Sequence, residues 1–157
     1  MSGAKYKIIR QRGVNGAEFF EENYFTNGMS TLIDRAFRQL GGTGSGSSVF
    51  LLSQAMGGGK THSMIALGLM ARDPELRRKV LGTEDPAPKL GKCRVAGFNG
   101  RSTDEPGGIW GSIAGQLGKA EQFARFVSPL LSAPSPGAWK QVLGGDPLVL
   151  FLDELPP

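Results

Sequence analysis

Two short stretches carry residue types able to do chemistry: Gly57-Gly58-Gly59-Lys60-Thr61, and Asp153-Glu154 about ninety residues later. Adjacent glycines lose much conformational entropy when ordered, so a fold that keeps three of them needs a bare backbone at that place. A polyphosphate has that need, because several backbone N–H groups must converge on its oxygens and side chains would block the approach. In that chemistry Lys60 puts its ammonium on the terminal phosphates, and Thr61 offers a hydroxyl to a Mg²⁺ ion riding on them. Asp153 supplies a carboxylate to the same ion, and Glu154 a base that orients an attacking water. The strict spacing G-x-x-x-x-G-K-[ST] has Gln54 where its first glycine belongs. A loose turn ending by chance in Gly-Lys-Thr is the plain alternative for the first stretch, and an exposed acidic pair for the second; together they favour phosphate chemistry.

Such residues work only if the right elements hold them. Val49-Phe50-Leu51-Leu52 is a continuous apolar run, the pattern of a strand buried on both faces, and Lys60 to Ala71 reads as a helix broken at Asp73-Pro74. Upstream, Met29, Leu32, Ile33, Ala36, Phe37 and Leu40 fall at helical spacing, with Thr26 or Asn27 as caps and Gly41-Gly42 as the stop, followed by a Gly/Ser connector. A short helix over 74–81 and a Pro-rich loop come next. The run 93–99 reads as a strand, with Arg101 and Glu105 in the loop beyond it, where Glu105 is a second candidate base behind Glu154. Ile109, Ile113, Ala114 and Leu117 mark one helix, and Phe123, Phe126, Val127 and Leu130 another. A further turn or two of helix fits Ala138 to Gly145. A last apolar run, 148–152, leads directly into Asp153-Glu154. Strands alternating with helices predict an α/β fold of three layers, with helices on both faces of a mainly parallel sheet. Residues 1–48 form an N-terminal segment, and 49–157 the core.

Composition excludes other chemistries. The chain has 157 residues, enough for one domain with a core, and 39% of them are hydrophobic despite 24 glycines and 10 prolines. Cys93 is the only cysteine, which rules out an internal disulfide and reads as an apolar filler at the start of a strand. With His62 as the single histidine, histidine-cluster metal sites and most triads within the chain are excluded. His62 reads first as a packing or capping residue and second as a nucleotide contact. The cluster Arg72, Arg77, Arg78 and Lys79 reads as a solvated helix face, Trp110 and Trp139 as packing residues, and Tyr24 and Phe25 either as flanks for an adenine or as a staple on the following helix. No apolar run is long enough to span a bilayer, and a cytoplasmic location is expected.

The stretches FFEENYFTNGMSTLIDRAF, QAMGGGKTHSMIAL, GIWGSIAGQLG and LVLFLDELPP carry a resemblance. The chain resembles the additional-strand P-loop ATPases related to AAA+ proteins, and within them domain-of-unknown-function family 499, predicted ATPases linked to bacterial anti-phage systems. The likeness runs over most of the chain from Phe19 onward and tolerates Gln54. It implies a P-loop NTPase core in which Gln54, Gly57, Gly58, Gly59, Lys60, Thr61 and His62 bind ATP (Walker A). Thr61 and Asp153 hold Mg²⁺, and Lys60 and Glu154 carry hydrolysis to ADP and phosphate (Asp153-Glu154, Walker B). That cycle would power a larger assembly, with phage defence, further copies of the chain, DNA and DNA methyltransferases as its implied context. A nucleotide-dependent switch that does not hydrolyse is the alternative. GTP is disfavoured, since no Asn-Lys-x-Asp element is present. Such ATPases continue past the Asp-Glu strand into a strand bearing a polar sensor. The chain stops at Pro157, so a core incomplete at its C-terminus, without sensor or arginine finger, is expected to turn over slowly.

Overall fold

The structure is a computed structural model and describes residues 15–53, 59–101, 107–124 and 133–155. They fall into two compact units, one ending at Cys93 and the other beginning at Arg94.

In the first unit, helix α1 (Gly16–Glu22) opens on Asn15, whose side chain accepts from the Ala17 N–H. Thr26 does the same for Met29 at the start of α2 (Asn27–Leu40), satisfying an N–H that the helix itself leaves without an acceptor. The apolar stripe of α2 is buried as its spacing predicts: Met29, Leu32, Ile33, Ala36 and Phe37. Helix α3 (Lys60–Arg72) buries Met64 to Gly68 together with Met70 and Ala71, so it is enclosed on most sides rather than along one stripe. Asp73 ends it and caps the next helix, α4 (Pro74–Leu81), accepting from the N–H groups of Glu75 and Leu76, while Pro74 occupies the first turn, where its missing N–H costs nothing.

Two expectations for this unit are corrected. Residues 49–53 form no strand: Val49 is 82% and Leu51 89% exposed, while the Arg35 guanidinium stands over the Phe50 ring. A strand buried on both faces needs hydrogen-bonded neighbours, and no described segment of this unit is a strand that could supply them. Nor is Arg77 solvated. It is fully buried, with Nε 3.0 Å from Asp85 Oδ2, Nη2 donating to the Ala87 and Leu90 carbonyls, and its charge over the Phe37 ring. The guanidinium is held in the interior by its ion pair with Asp85 and by the two carbonyls, which together engage Nε and Nη2, while Nη1 is buried without a hydrogen-bond partner. It pins the 85–90 loop to α4. Cys93, buried beside it, has its thiol pushed up by desolvation, which Arg77's charge partly opposes.

The second unit holds a two-stranded parallel sheet, β1 (Arg94–Asn99) beside β2 (Leu148–Asp153), in register from Arg94 opposite Leu148 to Asn99 opposite Asp153. Parallel neighbours need a crossover, and α5 (Gly108–Gln116), α6 (Ala120–Phe123) and α7 (Pro136–Leu143) lie along it. Phe126, Val127 and Leu130 lie outside the described residues. Ala96 and Phe98 of β1 pack with Ile113, and Ala114, Phe123, Ala138 and Val142 form a second cluster against which Trp110 and Trp139 rest. The edge of β1 away from β2 is closed by a side chain: the Gln116 amide accepts from the Gly97 N–H at 3.0 Å and donates to the Gly97 carbonyl at 2.8 Å. That blunts an edge which would otherwise invite another strand. The architecture is mixed α/β with a small parallel sheet. None of the described helices is long and apolar enough to cross a membrane.

Candidate functional site

At the start of α3, Gly59 adopts a left-handed conformation (φ 79°, ψ 11°) that a side chain would strain, and the chain passes from it straight into the helix. Lys60 and Thr61 begin the first turn, half-buried, with His62 next. No described side chain caps this end, and no acidic residue lies in its first turn. The first-turn N–H groups have no acceptor inside the helix, and the aligned peptide dipoles add partial positive charge there, so the end favours an anion. No described atom comes within 4 Å of a Cβ built on Gly59. His62 stacks on Phe19, the ring centroids 4.7 Å apart, so it does pack as expected.

In the second unit, Asp153 is the last residue of β2 and stands opposite Asn99, the last of β1. Glu154 follows with φ 50°, the one non-glycine among the described residues on that side of the backbone map. Its Oε2 lies 3.4 Å from Asn99 Nδ2 and 3.2 Å from Arg101 Nε, and the Arg101 N–H donates to Asn99 Oδ1 at 2.8 Å. Gly100 makes this possible by donating to the Asp153 carbonyl and lying flat on the Glu154 backbone. The carboxylate is thus held by two donors at the carboxyl end of a parallel pair, the place where open α/β sheets gather ligands.

The structure brings Gly59, Lys60, Thr61 and His62 together at one helix end, and Asp153 and Glu154 together at one sheet end. The two groups belong to different units. Gln54, Gly57, Gly58 and Glu105 lie outside the described residues. The sequence reading missed Asn99, which is buried and braces both Glu154 and the Arg101 backbone. A polar residue closing an otherwise apolar strand was the available signal.

Residues 4–87 match the DUF499 N-terminal domain. The chain belongs to the DUF499 family. That match takes in α1 to α4, the start of α3 included, and stops short of the sheet that carries Asp153. No curated protein and no solved structure matches the chain.

Proposed function

We propose that this DUF499 chain binds Mg·ATP, with the triphosphate on the N-terminal end of α3. The observation that carries this reading is Gly59 in its left-handed turn, opening directly into a helix whose first two residues are Lys60 and Thr61 and whose end no described side chain caps. Backbone donors and the helix dipole meet at that end, and Lys60 and Thr61 supply an ammonium and a hydroxyl from the same turn. Among the described residues no three His, Cys, Asp or Glu side chains gather. A Mg²⁺ carried on the nucleotide needs only one or two protein ligands besides phosphate and water, and Thr61 and Asp153 have the right oxygen chemistry. Carried on the phosphates, the ion would neutralise their charge.

Hydrolysis to ADP and phosphate is the further step of the proposal, with Glu154 as the base and Asn99 and Arg101 holding its carboxylate. A switch that binds without hydrolysing is the second reading, favoured by the engagement of Glu154 Oε2 with two donors. A larger assembly with DNA or DNA methyltransferases in it rests on family likeness alone. Equilibrium dialysis of Mg·ATP against the parent and Lys60→Ala, run beside a phosphate-release assay, separates these readings. Binding lost in Lys60→Ala supports the phosphate site. Phosphate release that also needs Lys60 selects the hydrolase, and binding without release selects the switch. Equal ATP binding by parent and Lys60→Ala refutes both.

A further inference from the structure

We infer that the aromatic row Phe25, Phe20, Phe19 and His62 is a stacking surface for a purine base, reached from the phosphate end of α3. This rests on the nucleotide reading above and adds the part of the ligand that the phosphate chemistry leaves undetermined. Phe25 stacks on Phe20 at 5.7 Å, Phe20 meets Phe19 edge-on at 5.1 Å, and Phe19 lies nearly parallel to His62 at 4.7 Å. All four rings are only half-buried. His62 directly follows Thr61, so the row starts one residue from the proposed phosphate contact and continues through Phe19 and Phe20 of α1 to Phe25 just after it. A base joined to its phosphates through one ribose has to lie in that neighbourhood.

Packing of α1 accounts for one of these contacts and not for the row. Helix α1 is seven residues long with none fully buried, too short to be stable by itself, and the fit of Gly16 against Leu76 already ties it to α4. Phe19 on His62 adds a second tie, to α3. The Phe20–Phe25 stack reaches beyond both, and Tyr24, 94% exposed between them in sequence, adds further aromatic surface. Flat π-faces of this kind accept any base, and a purine offers them the larger stacking area. The row therefore selects purine over pyrimidine through area, with the ring nitrogens of His62 as its hydrogen-bonding atoms.

The test compares ATP, CTP and inorganic tripolyphosphate, each with Mg²⁺, by calorimetric titration of the full chain. ATP is expected to bind tighter than tripolyphosphate by about fivefold or more, the weight of one stacked base, with CTP in between. Phe25→Ala and Phe19→Ala are expected to close that gap and leave tripolyphosphate affinity unchanged. Photolabelling of the unaltered chain by 8-azido-ATP, expected within residues 16–25 or at His62, keeps the inference open to refutation if either variant fails to fold. ATP and tripolyphosphate binding equally, or label found only elsewhere, overturns it. In that event tripolyphosphate binding that is lost in Lys60→Ala leaves the phosphate reading standing. If neither ligand binds, both readings fall together.

Discussion

Gly100 is the position where a single methyl group should do most damage to the Asp153-Glu154 end of the sheet. A Cβ built there lies 2.3 Å from the Glu154 carbonyl oxygen, 2.8 Å from Leu155 Cα and 2.9 Å from the Glu154 carbonyl carbon. All three are backbone atoms, so no change of rotamer relieves the overlap. Either the 153–155 backbone moves, or the 2.9 Å bond from the Gly100 N–H to the Asp153 carbonyl breaks. Overpacking of this kind costs about 1–3 kcal/mol, and breaking the hydrogen bond instead costs about 1 kcal/mol, so Gly100→Ala is expected to lose about 1–3 kcal/mol. Gly115 provides the matched control. It is exposed within α5 with no described atom within 4 Å of an added Cβ, and Gly115→Ala should gain about 0.5–1 kcal/mol from helix propensity. Urea denaturation followed through Trp110 and Trp139, both in the unit that begins at Arg94, reads the two changes directly. The close approach of Gly100 to Glu154 is refuted if Gly100→Ala is as stable as the parent to within about 0.5 kcal/mol, the usual size of a surface substitution.

Arg77→Met keeps much of the side-chain volume but strands Asp85, whose side chain is 2% exposed, beside two carbonyls that lose their donor. A loss of about 3–5 kcal/mol by chemical denaturation is expected, and a near-neutral result would contradict the buried pair. Since burial raises the Cys93 thiol, the unfolded chain ionises first as pH rises. The thiol's contribution to stability should therefore be constant at neutral pH and fall above about pH 8.5, with Ellman's reagent reacting only on unfolding. Prompt labelling of the native chain would show Cys93 to be accessible. Glu154→Gln should keep Mg·ATP affinity while phosphate release, where the parent shows it, falls by about 10²-fold. Unchanged release would move the base away from Glu154.

Much of the secondary structure was legible because it is marked locally. Asp73-Pro74 both ends α3 and starts α4, Thr26 caps α2, and the apolar run of β2 stops at Asp153 where its pattern stops. The helix that begins at Lys60 was legible for the same reason, since a glycine run and Asp73-Pro74 bracket an apolar stretch of helix length. What remained hidden depends on partners distant in sequence. Val49 to Ser53 has the composition of a buried strand, but composition does not supply the neighbour that would bury it. Burial of Arg77 is decided by Asp85 and by two carbonyls in the following loop, while nothing at Arg77 itself announces it. The bracing of Glu154 by Asn99 follows from the β1–β2 register, which joins positions 55 residues apart. Helix α1 is seven residues held by an Asn15 cap and by aromatic contacts, too short to show a period.

Backbone amide NMR of the full chain during titration with Mg·ATP reads the proposed phosphate site at the start of α3 residue by residue. The amides of Gly57 to His62 are expected to shift first and furthest, tripolyphosphate to move the same set, and Lys60→Ala to abolish the response to both. Mg·ATP binding that leaves those amides unmoved while others shift, or a full response in Lys60→Ala, would contradict a phosphate site at the start of α3.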